Sequence, residues 1–398
     1  LLYTKNISHD QPEFMSFINE SFVSIPVEDW HIYLKWQLLR QYLPVISKKT
    51  AKTYFEFFGK SVNGTKKDQP HWKKVVNCID YAMGENVGQL YVKQHFPEAS
   101  KKAVLQMVKE VSDTFVERIT DLEWMSEKTK TYAVKKLHNM KVLVGYPDKW
   151  RDFSTLKVTR DSFVENLLEA DRFNHDFEVS RLGQPNSRDQ WHMSPQTVNA
   201  YHDPNRLVIC FPAGILQAPF FDHTYSIAHN FGGIGEVIGH ELTHAFDDQG
   251  SQFDADGNVR NWQTAAEKKS FAQRAQIIKQ QADDFEPLPG LKLKGDLVIG
   301  ESIADLGGLE ISLQTLRTRL GEKFSDTDAH DFFANYAFNE AVSIREQKAR
   351  ESALIDPHPP SEFRVNAIFQ HIDDFYKAFD LKEGDKLYRP PEKRAKIW

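Results

Sequence analysis

The sequence predicts a mainly α, multi-lobed helical protein with a small β element. Three observations carry that expectation. Apolar residues recur at helical spacing over long stretches, above all 101–122, where Val104, Met107, Val108, Val111, Phe115 and Ile119 fall near one face. The β-prone runs are short, Val142–Val144 and Val208–Phe211, each followed by Gly or Pro. The length, 398 residues with 40% hydrophobic, gives room for two or three core-forming units.

Taken in order, Trp30 to Leu43, stopped by Pro44, and Ala51 to Gly59 read as helices with aromatic packing residues. Ser126 can cap a helix running to about His138. Val142-Leu143-Val144-Gly145 before Tyr146-Pro147 reads as a strand and turn. Val208-Ile209-Cys210-Phe211, preceded by Asn199-Ala200-Tyr201, suggests an edge strand whose free backbone groups could pair with an extended peptide. Gly232-Gly233 breaks the chain ahead of a stripe of Ile234, Val237, Ile238, Leu242 and Ala245, which predicts a mostly buried helix. Gln263 to Asp284 and Asp328 to Lys348 read as long helices. Lysine clusters such as Lys135-Lys136 look like solvated helix faces. Asp254-Ala255-Asp256-Gly257-Asn258 lacks the later acidic positions of a calcium loop and reads as a tight polar turn.

Composition excludes several function classes. A net charge of −6, 27% charged residues and no long basic patch point away from nucleic acid. Mean hydropathy is −0.53 and no run of 18 apolar residues occurs, so no membrane span is expected. Two cysteines, Cys78 and Cys210, imply no disulfide framework, and two buried free thiols are favoured over a single bridge. Asn6-Ile7-Ser8 and Asn63-Gly64-Thr65 fit the glycosylation pattern, which matters only in a secreting eukaryote. The chain begins at Leu1 with no initiator Met, signal peptide or lipidation motif.

The most informative stretch is His240-Glu241-Leu242-Thr243-His244. Residues i and i+4 share a helix face, so both imidazoles can reach one metal ion. The adjacent Glu241 can stand beside a water on that metal and take its proton. A catalytic zinc normally has three protein ligands, so a third is needed from elsewhere. Gly300-Glu301-Ser302-Ile303-Ala304-Asp305-Leu306-Gly307-Gly308 supplies a candidate in Glu301. Asp305, one turn on, can accept the spare N–H of a ligating histidine and fix its tautomer. Asp247 and Asp248 are further candidates for that supporting role. Histidines that merely satisfy backbone carbonyls are the bland alternative, and the paired spacing weighs against it.

Ordered blocks extend the pattern. They are Val198-Asn199-Ala200-Tyr201, Phe211-Pro212-Ala213-Gly214-Ile215-Leu216-Gln217, Gly232-Gly233-Ile234-Gly235, Val237-Ile238-Gly239-His240-Glu241, Phe246-Asp247-Asp248-Gln249-Gly250, Gly300 to Asp305, Asp356-Pro357-His358 and Lys396-Ile397-Trp398. In these the chain resembles neprilysin-type zinc metallopeptidases, the group of neprilysin, endothelin-converting enzyme and bacterial oligopeptidase O. Its few cysteines fit a bacterial-type member.

The resemblance implies a thermolysin-like zinc catalytic core with a small β element at the cleft edge. It implies one Zn2+, held by His240, His244 and Glu301, and Glu241 as general base. Asp305 would orient a histidine, His358 would stabilise the oxyanion, and Arg364 would bind a substrate carbonyl. Asn199 and Ala200 would hold the peptide backbone. The implied activity is endopeptidase cleavage of oligopeptides at an extracytoplasmic site. Residues 1–120 would belong to a substrate-enclosing helical lobe and 121–398 to the catalytic domain. A further partner would be an N-terminal portion of the same protein preceding Leu1. Glu236, Asn339 and Glu340 stand where relatives often carry apolar residues, which puts a hydrophobic side-chain preference in question. Other readings stay open: a zinc-containing peptide-binding or scaffold protein without turnover, a fragment inactive without its N-terminal half, and a zinc hydrolase of non-peptide substrates.

Overall fold

The structure is a computed structural model that describes residues 11–398, so Asn6 and the Leu1 start lie outside the described residues. The chain forms two compact units, one of residues 1–83 and 152–185, the other of 84–151 and 186–398. The Glu98–Asp121 helix buries its predicted stripe from Val104 to Ile119 within the second unit.

The first unit is built from the helices Pro12–Ser24, Val27–Ile46, Lys48–Tyr54 and Phe163–Ser180. Tyr42 and Gln41 both donate to Asp171 Oδ2, which ties the second of these helices to the last. Pro44 lies inside the Val27–Ile46 helix and does not stop it. It falls in the last turn, where it costs only one helical hydrogen bond. The 51–59 stretch is also divided: the helix ends at Tyr54 and the chain continues as a wider π-type turn, Phe55–Val62.

The second unit holds the main core. Its three strands are β1 (Lys141–Gly145), β2 (Tyr201–Asp203) and β3 (Val208–Pro212), ordered β1-β3-β2. β3 is parallel to β1 and antiparallel to β2, with Tyr201 opposite Cys210. The run Val208–Phe211 is thus the central strand, fully buried, and not an edge. The sheet's two edges are β1 and the shorter β2, with β3 between them. The continuous apolar character of β3 fits burial on both faces.

Ser126 does cap the Glu127–Asn139 helix, accepting from Thr129 N. Lys136 in that helix is fully buried, so the reading of Lys135-Lys136 as a solvated face fails at its second residue. The stretch 328–348 is two helices, Asp326–Asn339 and Glu346–Ile355. Val342, Ser343 and Ile344 between them are weak helix formers. Asp254–Asn258 is a tight turn: Asp254 Oδ1 accepts from the N–H groups of Asp256 and Asn258, and Gly257 takes φ +80°. Cys78 and Cys210 are free thiols, the first half-buried and the second buried.

Two helices in the middle of this unit position the candidate site. One is the motif helix Glu236–Thr243, entered through a π-type turn, Phe231–Gly235. The other is the carboxylate helix Gly295–Leu320, buried along most of its length. They cross at Gly239 and Gly308. A Cβ on Gly239 would lie 2.8 Å from Gly308 Cα, and one on Gly308 would lie 2.8 Å from His240 N. Only glycine at both positions allows so close an approach. The chain end is locked into the same core, with Arg118 donating to Trp398 O and Trp124 Nε1 donating to Ile397 O.

Candidate active site

The glycine crossing brings Glu301 against both histidines. His240 Nε2 and His244 Nε2 lie 3.0 Å apart with their rings at 90°. Glu301 Oε2 is 3.3 Å from the first and 3.6 Å from the second. Donor atoms about 2.0–2.2 Å from one tetrahedral zinc are separated by about 3.3–3.6 Å, so the three positions suit a shared ion. The opposite ring nitrogens settle the chemistry further. His240 Nδ1 lies 2.9 Å from Asp305 Oδ1, and His244 Nδ1 lies 2.7 Å from Asp247 Oδ2. A carboxylate beside each Nδ1, hydrogen-bonded at His244 and at ion-pair distance at His240, leaves both Nε2 atoms facing one another and Glu301, an arrangement that calls for a cation.

The supporting carboxylates are themselves held. Arg364 grips Asp305 with two bonds, Nε to Oδ2 at 2.9 Å and Nη2 to Oδ1 at 2.5 Å. Asp247 Oδ1 accepts from the N–H groups of Gln249 and Gly250 at 2.8 and 2.6 Å. Arg364's grip on Asp305, 59 residues away, was not legible in the sequence. No local pattern links the two.

Burial and neighbouring charge compete at each group. Burial opposes charge on His240, but Asp305 and Glu301 prevail and hold its pKa well above the ordinary value. His244 is pushed up to about 9: burial and His240 oppose this, and Asp247 and Glu301 outweigh them. Burial also works against an ionised Glu301, yet the two imidazoles keep its carboxyl far below the usual range. Glu241 is 6% exposed and its pKa is raised, chiefly by burial, with His244 and His240 pulling the other way. A carboxylate so raised is a better proton acceptor than an exposed one.

These groups line a cleft of about 640 Å³ together with Asn199, Ala200, His358 and Arg364. His358 Nε2 lies 3.6 Å from Glu301 Oε2, and its Nδ1 meets Asp356 Oδ1 at 2.9 Å. Every residue singled out from the sequence therefore faces the cleft, except Asp305, which is fully buried behind His240. Ala200 and Asn199 immediately precede the edge strand β2. Asp248 lines the cleft without touching either histidine's ring nitrogen, and of the pair only Asp247 does.

Two histidines one helix turn apart with a distant glutamate are the ligand set of a broad class, the His2Glu zinc hydrolases. Comparison with known proteins narrows it. Sequence models described as peptidase family M13 match residues 199–395 and 3–147. The chain is 35% identical over 372 residues to a neutral endopeptidase of Lactobacillus helveticus, covering 92% of this chain and 56% of that protein. It is 31% identical to neprilysin-3 of Drosophila melanogaster, covering 92% and 48%. A zinc metalloprotease of Mycobacterium tuberculosis, solved with an inhibitor, superposes with a TM-score of 0.92 at 37% identity, covering 98% of this chain and 60% of that one. The chain belongs to peptidase family M13. It spans about half the length of the curated relatives it matches.

Proposed function

We propose that this chain carries the centre of a zinc-dependent endopeptidase that hydrolyses oligopeptides, with one zinc held by His240, His244 and Glu301. The observation that carries the proposal is the convergence of two Nε2 atoms and one carboxylate oxygen at 3.0–3.6 Å, with the carboxylates of Asp305 and Asp247 beside the two Nδ1 atoms. When bound, zinc supplies Lewis acidity that brings the pKa of a water ligand towards about 7.

The chain's own groups do the rest. Glu241 accepts a proton from the attacking water and returns it to the leaving amine. His358, held by Asp356, offers an N–H to the oxygen that becomes negative. Asn199 presents both a donor and an acceptor to a peptide amide, and Ala200 leads into the edge strand β2, where an extended substrate can add as a strand. Arg364 braces Asp305 and, lining the cleft, can also reach a substrate carbonyl. An extracytoplasmic location and a substrate-enclosing lobe belong to the same proposal. Among the described residues no helix is long and apolar enough to cross a membrane.

The test is cleavage of an internally quenched peptide beside metal analysis. Glu241→Gln should keep zinc and lose at least about 100-fold in turnover. A zinc-loaded chain that cleaves nothing, even when completed to its relatives' length, would instead be a peptide-binding protein.

A further inference from the structure

Next to the metal ligands, one wall of the cleft is unusually polar. It is formed by Glu236 at the start of the motif helix and by Tyr336, Asn339 and Glu340 at the end of the Asp326–Asn339 helix. Tyr336 is 2% exposed and its hydroxyl has no hydrogen-bond partner among the described residues. Both atoms of the Asn339 amide and Glu236 Oε1 are likewise buried and unpartnered. Burying such a group without a partner is unfavourable, so several together on a cleft wall point to a polar occupant.

Charge decides which polar occupant. Glu340 and Asp305 share one cation, Arg364, and Glu236 lies beside the His240–Asp305 pair. That arginine is already committed to Asp305 by two bonds, with Glu340 Oε1 at 3.3 Å from its Nη1. Acceptor positions outnumber donors on this wall: two carboxyl groups and the amide and phenol oxygens stand against the Asn339 amide N–H groups and the Tyr336 O–H. An apolar side chain would leave acceptors unpaired, an anionic one would meet like charge, and a neutral polar one brings at most two donors. An ammonium carries three N–H donors and a guanidinium five, which matches this surplus. Phe220 and Val237 line the same cleft and can cover the aliphatic stem of such a side chain.

We propose that Glu340, Asn339, Tyr336 and Glu236 form a side-chain subsite for a lysine or arginine residue adjoining the scissile bond. The inference rests on the peptidase reading above. An apolar side chain would gain the stem contacts but strand the acceptors, so discrimination against it is strong.

Two measurements on the zinc-loaded full chain test this. The first uses quenched peptides that differ only at the residues flanking the scissile bond, bearing Lys, Arg, Leu, Phe or Glu. At one flanking position the Lys and Arg peptides should exceed the Leu peptide at least about 10-fold in kcat/KM, and the Glu peptide by more. Glu340→Leu, and separately Asn339→Val, should cut the Lys-to-Leu ratio about 10-fold, each variant's zinc content reporting that its site is intact. The second measures binding of the same peptides to zinc-loaded Glu241→Gln by fluorescence polarisation. This keeps the subsite question separate from turnover, since a chain that hydrolyses nothing still reveals a basic preference in binding. A preference for Leu or Phe in both measurements, or a Lys-to-Leu ratio unmoved by Glu340→Leu, would overturn the assignment.

Discussion

The Lys136 ammonium, fully buried, donates to the carbonyls of Ala245, Gly250 and Phe253 at 2.7, 2.8 and 2.7 Å. Those carbonyls belong to the segment leaving the motif helix, the same segment in which Asp247 holds His244. Lys136 thus pins the chain that orients a metal ligand. Lys136→Met keeps the stem and strands three acceptors, so a loss on the order of 3 kcal/mol or more is expected. Urea unfolding should show it, and zinc affinity should fall with it. An unchanged unfolding midpoint would mean that water or another donor replaces the ammonium. Nothing near Lys136 in the sequence signals this role, because its partners lie 109 to 117 residues away. His240, Glu241 and His244 were legible for the opposite reason: one helix turn brings them together, and helix geometry is local.

At the scale of elements, Glu267 joins two helix starts. Its carboxylate accepts from Thr264 N and Oγ1 in the capping box of the Ala265–Asp284 helix. It also accepts from Ser126 N, Ser126 Oγ and Thr129 Oγ1 at the start of the Glu127–Asn139 helix. Burial resists the charge, but these bonds hold the carboxyl down at about 2. A pKa depressed in the folded state stabilises above the ordinary glutamate range and is lost as pH falls towards about 2. Glu267→Gln should therefore lower the melting temperature at neutral pH and flatten its decline between about pH 4.5 and 2. Parallel acid limbs in the two proteins would show that the carboxylate stays ionised through that range for some other reason, or contributes nothing. The Ser126 cap could be read from its neighbours, whereas the carboxylate 141 residues away that completes it could not. The same limit explains β3: its apolar run signals a strand, but whether it sits at the edge or centre depends on β1 and β2, which lie far off in the chain.

At the scale of the whole molecule, the proposed metal site lies between the motif and carboxylate helices, both largely buried in the second unit's core. Without a cation, proton uptake is what reconciles its groups. His244 is raised to about 9 and His240 above its ordinary value, so at neutral pH both imidazoles are charged against Glu301, Asp305 and Asp247. Groups with raised folded pKa values stabilise below the ordinary histidine range, and that stability is lost as pH rises through about 9. The metal-free protein should accordingly lose melting temperature between about pH 6.5 and 9, while the zinc form, whose ligand nitrogens carry no proton, should stay flatter. Zinc binding must then expel protons, and its affinity should climb with pH across the same window. Calorimetric titration of the chelator-stripped chain in buffers of different ionisation enthalpy reads the number released, expected to be about one to two per zinc at pH 7. Zinc present at about 100 times its dissociation constant should add about 2.7 kcal/mol to unfolding. Binding without proton release would mean that both imidazoles are already neutral in the metal-free fold, and the carboxylates on their Nδ1 atoms would then act by holding ring orientation alone.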